Sequence, residues 1–131
     1  MNLEPIKTIS DCLQNIDVRS LAVSPQALYE LSMQCAAWKA FTGEQMSVAK
    51  GDWMRAKKKA YETFFLSNEA NRSRFEKYGV MAVKDYISGC CGEYESDYEF
   101  IERTNNACGY MEDAVRTVIS SLKEEMKFQR A

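Results

Sequence analysis

From Ser96 to the end of the chain, apolar or small side chains recur at steps of three and four: Phe100, Thr104, Cys108, Met111, Val115, Val118, Leu122 and Met126. That spacing lays one continuous stripe along a single face of an α-helix. Ser96 with Glu99 three residues later has the form of a capping box, in which serine and glutamate each satisfy an orphan N–H of the first turn. The pattern predicts one long helix over residues 96–128. Such a stripe is not stable in water alone, so the preceding chain must supply a matching apolar face.

The matching face begins at Ser24-Pro25, which reads as an N-cap followed by a first-turn proline. Leu28, Leu31, Cys35 and Trp38 then step at three and four, and Met46, Ala49, Trp53, Ala56, Ala60 and Phe64 resume the stripe. A second long helix over residues 24–66 is expected. Gly43 and Gly51 interrupt it, each costing about 1 kcal/mol relative to alanine, so a kink or short break is expected near Thr42-Gly43. Residues 1–23 carry a weaker pattern, Ile6, Ile9, Leu13 and Ile16, and read as a strap over the long pair. Serine and asparagine make residues 67–74 a connector. A middle helix over 72–88 follows, with Phe75, Tyr78, Ala82, Val83, Tyr86 and Ile87 inward, ended by the Gly89-to-Gly92 stretch.

No segment alternates with period two for long, and the chain holds two prolines. The expectation is therefore a single all-α domain over 1–131: a helical bundle built on two long antiparallel helices, with shorter N-terminal and middle helices. Its 131 residues suffice for one modest core. No apolar run approaches the roughly 20 residues that span a bilayer, and no basic residue precedes an apolar block at the N-terminus. A soluble intracellular protein without a membrane partner is expected. Five cysteines without framework spacing fit a reducing compartment.

The absence of histidine narrows the chemistry most. It removes the commonest general base, the usual partner of a nucleophilic serine or cysteine, and the imidazole ligand of most zinc sites. Cys90-Cys91 lacks the two-residue spacer of a metal or redox motif and has acidic neighbours, so it reads as a tight helix terminus. Asp52, Glu62, Glu69, Glu76 and Glu112 show no spacing that recommends an acid–base pair. Trp38 and Trp53 read as core. No catalytic residue, metal ligand or cofactor site is nominated, and no enzyme is expected.

Charge points instead to binding. Residues 1–49 sum to −2, residues 50–84 to +5, residues 85–113 to −7 and residues 114–131 to +2, so a total of −2 hides a dipolar chain. The basic block is Lys50, Arg55, Lys57, Lys58 and Lys59. Helical geometry puts Arg55 with Lys58 and Lys59 on one face, and Lys50 with Lys57 on another. With Trp53 or Tyr61 for stacking, this block is a candidate for nucleic acid or a partner protein, set against a plain solvated face. The acidic block is Glu93, Tyr94, Glu95, Asp97 and Tyr98, able to occupy a basic groove. Asp97 and Glu99 are also favoured simply by lying in a first helical turn.

Two stretches together, Trp53 to Tyr61 (WMRAKKKAY) and Ala107 to Glu125 (ACGYMEDAVRTVISSLKEE), resemble the small helical proteins of tailed bacteriophages often encoded beside single-strand-annealing recombinases. The features in common are Ala60-Tyr61 on a Lys-rich helix, and Arg116, Ser120-Ser121 and Leu122-Lys123 on the C-terminal helix. The resemblance spans roughly residues 28–128; residues 75–92 and the N-terminal strap depart from a minimal hairpin. It implies a phage accessory protein without enzymatic activity, in contact with DNA-recombination machinery and located in the host-cell cytoplasm. It brings no catalytic residues with it.

Three readings stand at this level. The first is a non-catalytic binding protein acting on a nucleic-acid-handling machine in phage recombination or replication, through the basic block. The second is an anti-CRISPR-like inhibitor of a host defence nuclease, through the acidic block. The third is an assembly protein that pairs with its own copy as a coiled-coil-like homodimer.

Overall fold

The structure, a computed structural model, describes residues 1–66 and 69–130, with side-chain surroundings given for all of these except residues 66, 69–75, 77, 78 and 130. It is all-α, with four helices and no strand among the described residues. The first helix, α1, spans Glu4–Gln14 and starts where the Asn2 Oδ1 accepts the Glu4 N–H at 3.0 Å. Past its end, the Asp17 carboxylate accepts the Arg19 N–H at 3.1 Å and turns the chain into a short 3-10 segment, Ser20–Val23. Helix α2, Pro25–Leu66, then begins as the sequence indicates. The Ser24 Oγ accepts the Ala27 N–H at 3.3 Å, its carbonyl accepts the Leu28 N–H at 3.2 Å, and Pro25 occupies the position where no N–H is needed.

Helix α2 stays helical through Gly43 and Gly51, so the break expected at Thr42-Gly43 is absent. A physical reason lies across the helix pair. The Asn105 amide nitrogen donates to the Lys39 carbonyl and to the Thr42 Oγ1, both at 2.9 Å, and would lie 3.6 Å from a Cβ at Gly43. This polar clamp holds the helix where propensity alone would loosen it, and a Cβ at Gly43 would meet it only at ordinary van der Waals distance.

Helix α3, Glu69–Cys90, starts earlier than the expected residue 72, so most of the supposed connector is helical; residues 67 and 68 lie outside the described residues. The helix is interrupted at Gly79, whose φ of 80° and ψ of −176° suit a residue without a Cβ. Among the expected inward residues, Val83 and Ile87 are buried, Ala82 and Tyr86 are exposed, and Phe75 and Tyr78 lie outside the described side chains. The buried line runs Val83, Ile87, Cys91 at steps of four, which turns Tyr86 to the flank.

Helix α4, Gly92–Arg130, begins four residues before Ser96. Cys91 alone separates it from α3: its N–H donates to the Ile87 carbonyl at 3.1 Å while its carbonyl accepts the Glu95 N–H at 3.1 Å. The capping box at Ser96 is therefore not the start signal; the backbone junction at Cys91, five residues upstream, replaces it. Glu93 and Glu95, rather than Asp97 and Glu99, occupy the favourable first turn.

The helices gather into two compact units, Met1–Gln45 with Ile101–Ala131, and Met46–Phe100. In the first unit, Leu28, Leu31 and Cys35 of α2 pack antiparallel against Cys108 and Val115 of α4, and Ile9 and Leu13 of α1 close the cluster. Ile16, Val18 and Leu21, partly buried, pack against it. The α4 stripe extends through Leu122, but Met126 is exposed. In the second unit, Phe64 of α2, Val83 and Ile87 of α3 and Cys91 form the buried centre, flanked by Trp53, Ala56, Ala60 and Phe65.

The glycines give a contrast testable by urea denaturation. Gly51→Ala places a Cβ against only the flexible tip of Arg55, 3.5 Å away, and is expected to stabilise by up to about 1 kcal/mol. Gly79→Ala forces a side chain into a glycine conformation and is expected to cost about 1–3 kcal/mol, although no atom of the described residues would lie within 4 Å of the new Cβ.

Candidate nucleic-acid interface

Both charged blocks fall within the second unit, and the structure gives their members different surroundings. Arg55 pairs with the Asp52 carboxylate one turn back. Lys57 lies over the Trp53 ring with its ammonium 4.0 Å from the centroid, a cation–π contact that holds it on the flank of α2. Lys59 lines a cleft of about 270 Å³ with Ala56, Ala60, Thr63, Tyr86, Cys90, Cys91 and Tyr94. Lys50 and Lys58 are exposed and form no ion pair among the described residues.

Those last two cations share a face that sequence reading missed. At 3.6 residues per turn, Lys50, Met54, Lys58, Tyr61 and Phe65 fall within an arc of about 80° on α2. Met54 is 56% exposed and Tyr61 37%. Tyr61 and Phe65 stack in parallel with centroids 6.3 Å apart, and Phe65 packs edge-on against the buried Phe64 at 5.1 Å. The outer ring of Tyr61 thus has Phe65 as an offset parallel neighbour, itself in contact with the core. Lys57 leaves the face that its spacing shares with Lys50, because Trp53 sits one turn earlier and captures it.

The acidic block is in part a surface, with Glu93 exposed and Tyr94 45% exposed. Glu93 and Glu95 lie in the first turn of α4, Tyr94 turns into the Lys59 cleft, and Tyr98 packs on Trp53 with centroids 5.8 Å apart. Asp97 is half-buried on the second turn. Trp53 is half-buried rather than wholly core, and its indole N–H is buried without a hydrogen-bond partner among the described residues. Of the residues behind the phage resemblance, Ala60 flanks the buried cluster and Tyr61 is on the exposed face, while Arg116 bonds Glu112 at 3.3 Å and pairs with Asp113 at 3.6 Å on its own helix.

The thiols divide by burial. Cys35 and Cys108 are fully buried, and burial first, then their mutual proximity and Glu112, pushes the Cys35 thiol up to about 11. Burial also raises Cys108, partly offset by hydrogen bonds including one from Thr42. Both are thus held as neutral thiols. The stability that the neutral Cys35 thiol contributes is complete below the ordinary thiol value of 9.0 and is lost as pH rises through about 11; that of Cys108 is lost in the same direction, as pH rises above the ordinary thiol value. Alkylation with mass-spectrometric readout at mildly alkaline pH is expected to label exposed Cys12 and Cys90 and to spare Cys35, Cys91 and Cys108. Thermal unfolding is expected at falling temperature between pH 9 and 11.

Among the described residues, no three cysteine, aspartate or glutamate side chains gather as a metal site, and no helix is long and apolar enough to cross a membrane. In comparison with known proteins, the chain matches no family model, no curated protein and no solved structure.

Proposed function

We propose that the chain is a non-catalytic, phage-type helical binding protein that acts on a nucleic-acid-handling protein machine, as an accessory to phage DNA recombination or replication in the host cytoplasm. The observation that supports this reading best is the α2 face on which Lys50 and Lys58 alternate with Met54, Tyr61 and Phe65. Cations without acidic partners, set beside an exposed ring, suit a surface that meets phosphates and bases or a protein carrying them. The acidic block lends the rival inhibitor reading less support, since Glu93 and Glu95 are accounted for by the start of α4 and Tyr98 by its contact with Trp53.

Affinity capture of the tagged protein from infected-cell lysate, with and without nuclease treatment, tests this. Enrichment of a single-strand-binding, annealing or replication protein is the expected result. Capture of a host defence nuclease, lost on Glu93→Lys/Glu95→Lys, would replace this reading with the inhibitor. A mass set only by the protein's own concentration, with no captured partner, would replace it with an assembly role.

A further inference from the structure

We propose that the α2 face of Lys50, Met54, Lys58, Tyr61 and Phe65 binds single-stranded nucleic acid directly, with the two lysines on backbone phosphates and a base stacked on the Tyr61 ring. This deepens the function proposed above and rests on it for its biology, but not for its chemistry. Lys50 and Lys58 lie eight residues apart on one face, about 12 Å along the axis, with Met54 between them. Neither forms an ion pair among the described residues, so their charge is available to an incoming polyanion. Of the nearby acids, Asp52 is paired with Arg55, and Glu62 falls about 40° beyond the edge of the arc.

The ring makes the face selective for single strands. Tyr61 is partly exposed, while its other contact is the parallel ring of Phe65, itself braced on buried Phe64. An exposed ring of this kind offers a face on which an unpaired base stacks, and such stacking is tolerant of sequence. Bases in a duplex are already stacked and do not reach it. The chain's net charge of −2 adds no long-range attraction, so binding depends on these local groups and is strongest at low salt.

The test is fluorescence anisotropy of labelled oligothymidylate and oligouridylate, with a duplex of equal length as competitor. Binding is expected to weaken roughly sevenfold between about 50 and 200 mM salt, the slope of two phosphate contacts on a single strand. Lys50→Glu/Lys58→Glu should abolish that slope and most of the affinity. Lys123→Glu/Lys127→Glu, the same change in net charge on exposed α4 residues, should leave binding intact. Tyr61→Ala should weaken it roughly fivefold or more while Tyr61→Phe restores it. Circular dichroism of each variant separates lost binding from lost folding. Equal losses from the two lysine pairs, or equal competition by the duplex, would overturn the proposal. If the oligonucleotides do not bind, yet a recombination protein is captured regardless of nuclease treatment, this inference fails and the function above stands. If they bind but no such protein is captured, the reverse holds. A difference between the two oligonucleotides assigns the face to DNA or to RNA.

Discussion

Leu28→Ala is expected to lower the free energy of unfolding by about 2–5 kcal/mol. Leu28 is 0% exposed and sits in the first turn of α2, immediately after the Ser24 cap. Its neighbours in the buried cluster come from three helices: Ile9 and Leu13 from α1, Leu31 and Cys35 from α2, Cys108 and Val115 from α4. Truncation removes the transfer free energy of the lost methyl groups and leaves a void that these helices close only partly. Leu28→Met keeps the volume and should cost less than about 1.5 kcal/mol. Met33→Ala, on the same helix but 72% exposed, should stay within about 0.5 kcal/mol. The check is a urea titration, in which Leu28→Ala shifts the midpoint at constant m-value. A Leu28→Ala midpoint as close to wild type as that of Met33→Ala would mean that this cluster does not carry the stability assigned to it.

What the sequence made legible is what periodicity encodes. The stripes of α2 and α4 locate Leu28, Cys35, Phe64, Cys108 and Val115 in the interior, because burial of one helical face requires that spacing whatever the partner. Ser24-Pro25 is legible because cap and proline act through the backbone they adjoin. The start of α4 is not, since Cys91 caps it through main-chain groups that every residue possesses, while Ser96 and Glu99 imitate a cap inside the helix. Gly79 is no more conspicuous than Gly43 or Gly51, yet it alone breaks a helix. The clamp that steadies Gly43 comes from Asn105, more than sixty positions away.

The candidate face shows the same division. Composition identifies the basic block, but local partners decide which of its members are available. Trp53 takes Lys57 and Asp52 takes Arg55, each one turn away, so those pairings were within reach of an i, i+3 and i, i+4 reading. The stacking of Tyr61 on Phe65, and its support by Phe64, depends on how α2 packs in its unit and has no sequence signal beyond aromatic spacing.

Ile87→Ala is expected to destabilise the second unit by about 2–5 kcal/mol, and Ile87→Val by about 0.5–1.5 kcal/mol. Ile87 is 2% exposed and lies on the line Val83, Ile87, Cys91 that faces Phe64. Its loss hollows the centre of a cluster in which four of the described residues are buried. Urea or thermal unfolding measures the cost, and the same variants bear on binding. Ile87 underlies the unit but is not on the exposed α2 face, so folded Ile87→Val protein should bind single strands as wild type does. Tyr61→Ala should do the opposite, losing affinity with little change in stability, because a partly exposed ring contributes less to the core than to a ligand. If Ile87→Val weakened the oligonucleotide as much as Tyr61→Ala, affinity would be governed by the packing beneath the rings. The exposed face would then be a consequence of the core rather than the contact surface itself.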